Sequence, residues 1–247
     1  MKNFENKVVV ITGGNSGIGY ATAKEFKDAG AQVIITGKRA DALDASAATL
    51  GVKGVLADQS KLTDIDKLVT EVGNTVGKVD VLFINAGVAF FMPIAHTSEE
   101  QFDTMMDVNF KGSFFTLQKF LAILNDGASV VFLASGNTAL NMPNSSVYSA
   151  SKSAMSHLAK IAAKELAPRK IRVNTVNPGP TETEMQGKFG MDDATLKSMR
   201  DMIIGQVPLA KMGTPNDVAK LVAYLSDNTT SSFITGAEFF IDGGMAL

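Results

Sequence analysis

Cysteine and tryptophan are absent from this chain of 247 residues, and histidine occurs only twice. Without cysteine the protein can form no disulfide, no thiolate metal site and no redox-active thiol. No His, Asp or Glu cluster has the spacing of metal ligands, so we predict no metal site. No apolar run approaches the roughly 18 residues of a membrane span, and the first residues carry no apolar signal core. We therefore expect a cytoplasmic protein without a membrane partner.

Charge is also sparse. Only 19% of the residues are charged, the formal net charge is −2, and 45% of the residues are hydrophobic. A nearly neutral chain lacks the excess of basic residues that nucleic acid or an anionic membrane attracts. The length and the apolar content suffice for a globular protein with a sizeable core. We expect a small-molecule partner and no nucleic acid.

Short β-branched runs alternate with longer helical stretches along the whole chain. The predicted strands cover 8–11, 33–35, 81–84, 129–133, 171–176 and 238–241, with 55–57 as a weaker candidate. The predicted helices cover 17–29, 40–50, 62–76, 99–124, 147–167 and 215–226. Strands that are apolar on both faces are typical of a parallel sheet covered by helices. The pattern predicts an α/β fold, a doubly wound Rossmann-like sheet with helices on both faces.

The domain organisation is simple. No linker, low-complexity tract or repeat interrupts the pattern, so we predict one domain over residues 1–247. The least regular stretch, about 179–212, is rich in methionine, with Met185, Met191, Met199, Met202 and Met212. A long segment outside the core of a compact domain is often a lid. We expect this segment to cover a substrate.

A glycine-rich turn follows the first predicted strand and opens the first helix. Glycines let the backbone approach a pyrophosphate, and the N-terminus of a helix supplies N–H groups and a favourable dipole. The spacing is one residue longer than that of the commonest dinucleotide fingerprint, so a turn required only for strand–helix packing is an alternative. The predicted cofactor contacts in this turn are Gly13, Asn15, Ser16, Gly17, Ile18 and Gly19.

The end of the second predicted strand bears on the choice of cofactor. An NAD site carries an Asp or Glu near this point for the ribose 2′-hydroxyl, whereas this chain has Gly37, Lys38 and Arg39. The two cations suit a 2′-phosphate, because ammonium and guanidinium groups make charge-assisted bonds to phosphate. We therefore predict NADP(H) as the preferred cofactor and NAD(H) as the alternative. Two solvated cations at a helix start are the competing interpretation.

Further cofactor contacts are predicted after the third and fourth strands. Asp58 can accept a hydrogen bond from the adenine amino group, although a surface helix cap explains it equally well. Asn85, Ala86 and Gly87 follow the fourth strand, at the carboxyl edge where open α/β sheets bind ligands.

The chemical group of greatest interest is Tyr148, which shares one helix face with Lys152, four residues on. A phenol with a pKa of about 10 is poorly matched to proton transfer at neutral pH. Lowering its pKa to roughly 7 requires about 4 kcal/mol, which Lys152 and a positive nicotinamide ring can supply together. Ser135, at the end of the fifth strand, can bind a substrate oxygen on which charge develops. Asn109 can hold a water near Lys152 for proton relay.

As a set, these motifs resemble those of a short-chain dehydrogenase/reductase of the single-domain type, about 250 residues long. The motifs that carry the resemblance are 12–19, Asn85-Ala86-Gly87, Asn109, Ser135, Tyr148 to Lys152, Pro178-Gly179 with Thr183, and 241–244. They span the chain from end to end. The departures are Ile84, where many relatives carry a second Asn, and Gln59, where they carry an aliphatic residue. Asn15 and Ser16 also lack the basic side chain of many NADP-using relatives, so the NADP(H) prediction depends on Lys38 and Arg39.

The resemblance implies a sheet of about seven parallel strands and the roles argued above. Tyr148 would be the acid/base, Ser135 the oxygen-binding group and Asn109 the relay partner. Lys152 would also bind the nicotinamide ribose. Tyr148 would contact the cofactor as well. Pro178, Gly179 and Thr183 would flank the nicotinamide carboxamide, and Thr181 is a further predicted cofactor contact. A homotetramer with 222 symmetry is also implied.

The expected substrate walls are Val88, Ala89, Asn137, Leu140, Met142 and part of 181–204. They are mostly apolar and carry no cluster of cations, which favours a carbonyl reductase that interconverts a rather apolar ketone and its secondary alcohol. A 3-oxoacyl thioester reductase and a sugar or steroid dehydrogenase stay open. A dinucleotide sensor without turnover predicts erosion of the four chemical residues, all of which are present. A lyase or epimerase usually requires a larger substrate domain.

Overall fold

The computed structural model describes residues 3–182 and 192–247. Within these residues, seven strands form one parallel sheet in the order β3-β2-β1-β4-β5-β6-β7. The chain order reverses between β1 and β4, which places a topological switch point there. The strands are β1 (Val8–Ile11), β2 (Gln32–Gly37), β3 (Lys53–Leu56), β4 (Val79–Ile84), β5 (Leu124–Leu133), β6 (Arg172–Pro178) and β7 (Glu238–Ile241). This arrangement confirms the predicted Rossmann-like fold.

Helices cover both faces of the sheet. Because successive side chains of a strand point to opposite faces, Val10 and Leu82 join one buried core, while Val9 and Val81 join the other. This double burial explains why the central strands are apolar without alternation. The helices are α1 (Gly17–Asp28), α2 (Ala40–Leu50), α3 (Leu62–Val76), α4 (Glu99–Met105), α5 (Gly112–Phe120), α6 (Asn137–Leu140), α7 (Ser146–Glu165), α8 (Asp193–Gly205) and α9 (Pro215–Ser226).

The prediction of a single helix over 99–124 is wrong. A π-helical segment (Met106–Lys111) separates α4 from α5, and α5 ends at Phe120. Hydrophobic periodicity does not reveal the extra residue of a π turn. The apolar run 121–124 continues the helical pattern, but the Ile123 carbonyl accepts a hydrogen bond of 2.8 Å from the Val79 N–H as the chain enters β5.

Within 179–212, for which the sequence predicted no helix, the structure forms α8. The Asp192 carboxylate accepts from the Thr195 N–H at 2.9 Å and so caps the first turn of this helix. Thr183, Met185 and Met191 lie outside the described residues. Across the part of the chain that the structure describes, no helix is long and apolar enough to cross a bilayer.

Hydrogen bonds between strand-end segments build the carboxyl edge of the sheet. The Thr12 hydroxyl, just after β1, accepts from the N–H groups of Asn85 and Ala86 at 3.0 Å each, just after β4. The Gly136 N–H, after β5, donates to the Pro178 carbonyl at the end of β6 at 2.8 Å. The predicted site residues that follow these strands are therefore held at fixed positions along one edge.

Candidate active site

A cavity of about 880 Å³ opens at this edge of the sheet. Every predicted cofactor residue among the described residues lines it, and only Thr183 lies outside them. Of the four predicted chemical residues, Ser135, Tyr148 and Lys152 also line the cavity. Asn109 does not line the cavity and is fully buried. The structure therefore brings together residues that are up to 168 positions apart, from Gly13 to Thr181.

The glycine-rich turn has the backbone that its sequence predicts. Gly13 and Gly17 have φ angles of +64° and +53°, a region that L side chains rarely adopt. A Cβ at Gly19 would lie 2.2 Å from the Gly13 carbonyl oxygen, so the turn can close onto α1 only with glycine there. The Asn85 amide holds the turn from below by donating to the carbonyls of Thr12 at 2.8 Å and Gly13 at 3.0 Å. The N-terminus of α1 is thereby presented to the cavity, where its dipole favours an anion.

The rim next to β2 carries the two predicted cations. Lys38 and Arg39 line the cavity and are exposed, and neither forms a salt bridge within residues 3–182 and 192–247. At the preceding residue, a Cβ on Gly37 would lie 2.7 Å from the Asn15 Oδ1 atom. Asn15 therefore occupies the space that a side chain at position 37 would need.

Asp58 is not a helix cap, because α3 begins after Lys61. Its carboxylate accepts from the Ser60 N–H at 3.0 Å and from the Ser60 hydroxyl at 2.8 Å. Partial burial raises the pKa of the Asp58 carboxyl, but the bonds from Ser60 and the charges of Lys38 and Lys61 outweigh burial. The net pKa lies below its ordinary value, so Asp58 is an acceptor at neutral pH.

Ser135 and Tyr148 meet at the centre of the cavity. Ser135 is buried two residues after β5, and its hydroxyl oxygen accepts from the Asn137 N–H at 3.2 Å. Burial raises the pKa of the Tyr148 phenol, and a hydrogen bond with Ser135 lowers it by less than burial raises it. The Tyr148 hydroxyl is therefore neutral at pH 7 and is held by the second hydroxyl.

Lys152 is 3% exposed, and its Nζ atom donates to the Leu133 carbonyl at 2.8 Å. Burial lowers the pKa of this ammonium to about 8. Burial thus favours the neutral form of both Lys152 and Tyr148. The contribution predicted for a positive nicotinamide ring stays a prediction.

Asn109 is fixed by three hydrogen bonds. Its Oδ1 atom accepts from the Val88 N–H at 2.8 Å, and its Nδ2 atom donates to the Val88 carbonyl at 2.9 Å and to the Ser151 hydroxyl at 3.0 Å. Asn109 and Lys152 converge on Gly87, where a Cβ would lie 3.2 Å from Asn109 Oδ1 and 3.1 Å from Lys152 Nζ. A side chain at this position would crowd both groups and displace them by a few tenths of an ångström.

The Pro178-Gly179 segment forms the floor beside Ser135. The Gly179 N–H donates to the Ile241 carbonyl at 3.1 Å, and the Thr181 hydroxyl donates to the Gly179 carbonyl at 3.0 Å. A Cβ on Gly179 would lie 2.6 Å from the Asp242 Cα atom. Glycine is thus required where the segment passes the loop after β7.

The expected substrate walls line the same cavity, namely Val88, Ala89, Asn137, Leu140, Met142, Thr181, Met199 and Ile203. The sequence interpretation missed Phe91, Gln206 and Met245 in this wall, and Ser151 behind it. The Phe90-Phe91 pair in a loop was a usable signal, because binding residues are found disproportionately on loops. Met245 arrives from a distant part of the chain and has no local signal. No group of three or more acidic or histidine side chains within the described ranges can hold a metal ion.

The fold and the cavity together define a nicotinamide-dependent oxidoreductase. The switch point, the glycine turn and the Ser135–Tyr148–Lys152 cluster are the parts that such chemistry requires.

Comparison with known proteins supports the assignment to this class of oxidoreductase. The sequence model of a family described as enoyl-(acyl carrier protein) reductase matches residues 13–246. The oxidoreductase asL5 of Sarocladium schorii is 36% identical, with 100% of this chain and 98% of that protein covered. The NADP-dependent (R)-specific alcohol dehydrogenase of Lentilactobacillus kefiri is 33% identical (97% and 96% covered). The 3-oxoacyl-acyl-carrier-protein reductase FabG of Thermotoga maritima is 34% identical (98% and 99% covered).

Solved structures give the same result. A short-chain dehydrogenase/reductase from Serratia marcescens superposes with a TM-score of 0.90 at 31% identity, covering 99% of this chain and 100% of that chain. A blue fluorescent protein from a metagenomic library, in complex with NADPH, also gives 0.90, at 27% identity and the same coverage. The chain belongs to the short-chain dehydrogenase/reductase family. It is an NAD(P)-dependent enzyme acting on CH–OH and C=O groups.

Proposed function

We propose that this enzyme is a carbonyl reductase that uses NADP(H) to interconvert a rather apolar ketone and its secondary alcohol. The observation that carries this proposal is that Ser135, Tyr148 and the buried Lys152 line one cavity, with the Ser135 hydroxyl near enough to Tyr148 to lower its pKa. Two neighbouring hydroxyl groups suit one carbonyl oxygen, on which negative charge grows during reduction.

A reduced nicotinamide held in this cavity would supply the hydride for the carbonyl carbon. Ser135 donates a hydrogen bond to the substrate oxygen, in place of its contact with Tyr148, while its own oxygen accepts from the Asn137 N–H. Tyr148 gives its proton to the same oxygen. A pKa above the ordinary value keeps Tyr148 protonated at neutral pH, which is the form that reduction consumes.

Lys152 and Asn109 restore that proton. With a pKa of about 8, the Lys152 ammonium is close to the pH at which it can give up and regain a proton. Asn109 joins the chain at Val88 to the helix at Ser151, and its Oδ1 atom lies near Lys152 Nζ at Gly87, so it is placed to hold a water for proton relay.

The cavity fits a dinucleotide, since its glycine turn leaves space only for backbone and its volume suits a large ligand. Preference for NADP(H) is supported by the exposed Lys38 and Arg39 and by Asn15, which occupies the space at Gly37. The Lentilactobacillus kefiri relative is named NADP-dependent, and the metagenomic neighbour binds NADPH.

The cofactor preference is tested with initial rates of the Lys38→Ala/Arg39→Ala variant with NADPH and with NADH. Loss of charge-assisted contacts should weaken NADPH binding by about 1–3 kcal/mol and leave NADH binding unchanged. Lys67→Ala, an exposed lysine on α3 outside the cavity lining, serves as the control. Equal NADPH kinetics in the double variant and the control would remove this pair as the phosphate site.

The substrate end of the cavity favours an apolar ketone. Its described walls are neutral, and the charged lining residues lie at the cofactor end or are Lys152. A 3-oxoacyl thioester is the second candidate, because the Thermotoga maritima relative is named for that reaction. The rate of loss of NADPH absorbance, measured with small ketones and with a 3-oxoacyl thioester, shows which of the two substrate classes the enzyme reduces. Ser135→Ala should slow that reduction by about 10²-fold or more.

We also propose a single domain over 1–247, in which 179–212 acts as a lid, and a homotetramer. Met199 and Ile203 of α8 line the cavity, as a lid requires.

Exposed aromatic side chains on α4 and α5 (Phe102, Phe114) and around β7 (Phe233, Phe240) offer two apolar faces to other subunits. Light scattering gives the subunit number, and protection of the lid from protease by NADPH tests its closure. The cytoplasmic location stays a prediction.

A further inference from the structure

Phe91 lies beside the proposed acid. The rings of Phe91 and Tyr148 pack edge to face, with centroids 5.6 Å apart and planes at 61°. Phe91 lines the cavity, and 46% of its surface is exposed. One part of the ring therefore contacts Tyr148, while much of the remainder is free to contact a substrate.

The Phe91 segment is tied to the helix that carries Tyr148. The Met92 N–H donates to the Asn144 carbonyl at 2.7 Å, which joins the loop after β4 to the loop before α7. Ser145 is buried next to it, and its hydroxyl lies 2.8 Å from the Ser149 hydroxyl on α7. The Phe91 ring is thus a wall at a fixed position relative to the catalytic hydroxyl, and a preorganised wall loses little entropy on binding.

The other walls are soft and uncharged. Met142, Met199 and Met245 line the same cavity, together with Leu140 and Ile203. Thioethers adapt to the shape of a ligand and make favourable contacts with aromatic rings. An aromatic ring bound in this cavity has the Phe91 ring and the polarisable sulfur of the methionines as packing partners.

We propose that the larger substituent of the substrate is an aromatic ring packed against Phe91, so that aryl alkyl ketones and the corresponding alcohols are the preferred substrate class. This inference rests on the carbonyl reduction proposed above. Phe91 is then a specificity-determining residue. A saturated ring of the same size buries similar apolar area but forms no aromatic pair, which is the physical basis of discrimination.

The test compares acetophenone with cyclohexyl methyl ketone, which has the same carbon skeleton, in NADPH-dependent reduction. Conjugation makes acetophenone intrinsically less reactive, so the diagnostic quantity is the change in the ratio of their kcat/KM values on substitution. Phe91→Leu should lower the acetophenone-to-cyclohexyl ratio about 3- to 10-fold, with the cyclohexyl ketone changed less than about 2-fold. Phe91→Tyr should keep the ratio. Phe90→Leu is the matched control, because Phe90 is also exposed but does not line the cavity.

Three results overturn the inference. An unchanged ratio in Phe91→Leu excludes an aromatic subsite at this wall and leaves the proposed function intact. An equal loss with both ketones assigns Phe91 to positioning Tyr148 instead of choosing substrates. Failure of the wild-type enzyme to reduce either of these ketones or any other carbonyl compound removes the proposed function together with the inference.

Discussion

The side-chain amide of Asn109 donates a hydrogen bond of 3.0 Å to the hydroxyl of Ser151, the residue before Lys152. The same hydroxyl donates to the Tyr148 carbonyl at 2.7 Å. Ser151 therefore connects the π-helical segment to the turn of α7 that carries both chemical groups. It also fixes the Asn109 carboxamide with its oxygen toward the Val88 N–H. We regard Ser151 as a positioning residue.

Replacement of Ser151 by Ala should leave one N–H of the buried Asn109 amide without an acceptor. An unpaired buried donor costs about 1–3 kcal/mol, so the free energy of unfolding should fall by that amount. Because the relay behind Gly87 would lose its fixed geometry, kcat should fall about 10-fold while the KM for NADPH changes less than about 2-fold. Steady-state kinetics and urea denaturation measure the two effects.

Ser156→Ala on the same helix is the control for Ser151→Ala. The Ser156 hydroxyl is buried and has no hydrogen-bond partner among residues 3–182 and 192–247, so its removal should keep kcat and should not lower stability. If Ser151→Ala behaves like Ser156→Ala, the proposed link between Asn109 and α7 has no part in the reaction.

Gly87→Ala should disturb the approach of Asn109 and Lys152. The added Cβ would lie 3.1 Å from Lys152 Nζ and 3.2 Å from Asn109 Oδ1, at a backbone φ outside the left-handed region. The effect is therefore crowding rather than backbone strain. We expect kcat to fall about 10- to 100-fold, the loss typical of a misplaced catalytic group. Gly73→Ala in α3, where a Cβ makes an ordinary contact of 3.5 Å with Ile123, should instead keep activity and stabilise the protein by up to about 1 kcal/mol. Wild-type kcat in Gly87→Ala would show that the two groups do not need this spacing.

The buried Lys152 predicts a pH dependence of stability. Burial lowers its pKa from 10.5 to about 8, so the ammonium destabilises the folded protein below pH 8. Between the two values the unfolded chain binds more protons than the folded chain, and the stability of the wild type rises with pH. The free energy of unfolding of Lys152→Met, relative to that of the wild type, should therefore be highest at pH 7. This difference should shrink by about 2–3 kcal/mol by pH 10.

Urea denaturation at several pH values checks this dependence, with the exposed Lys164→Met on the same helix as the control. The free energy of unfolding of Lys164→Met should differ from that of the wild type by the same amount at every pH. A constant offset for Lys152→Met as well would show that Lys152 is not desolvated in the folded protein.

Much of the site was predictable because it is built on strand ends. Ser135 and Asn85 follow apolar runs that are long enough to identify as buried strands, and parallel strands place their carboxyl ends at one edge. The glycine turn was equally clear, since positive φ at Gly13 and Gly17 needs glycine. These features are local in sequence, so a pattern of residue types is sufficient to locate them.

The remaining features depend on contacts between distant segments. The π turn at Asn109 changes the hydrogen-bond count without changing the apolar periodicity. The wall residues Phe91 and Met245 are 154 positions apart and meet only in the folded chain. The upward shift of the Tyr148 pKa follows from burial, which a sequence does not display.

The central claim is that the Tyr148 hydroxyl delivers the proton to the substrate oxygen. Its most direct test is the single-turnover reduction of a ketone by bound NADPH in Tyr148→Phe, with NADPH affinity measured on the same sample. Removal of a general acid should slow the reduction by about 10²- to 10⁴-fold, whereas NADPH affinity should change by no more than about 10-fold, the loss of one hydrogen bond. A Tyr148→Phe enzyme that binds NADPH and reduces the ketone at the wild-type rate would contradict the account.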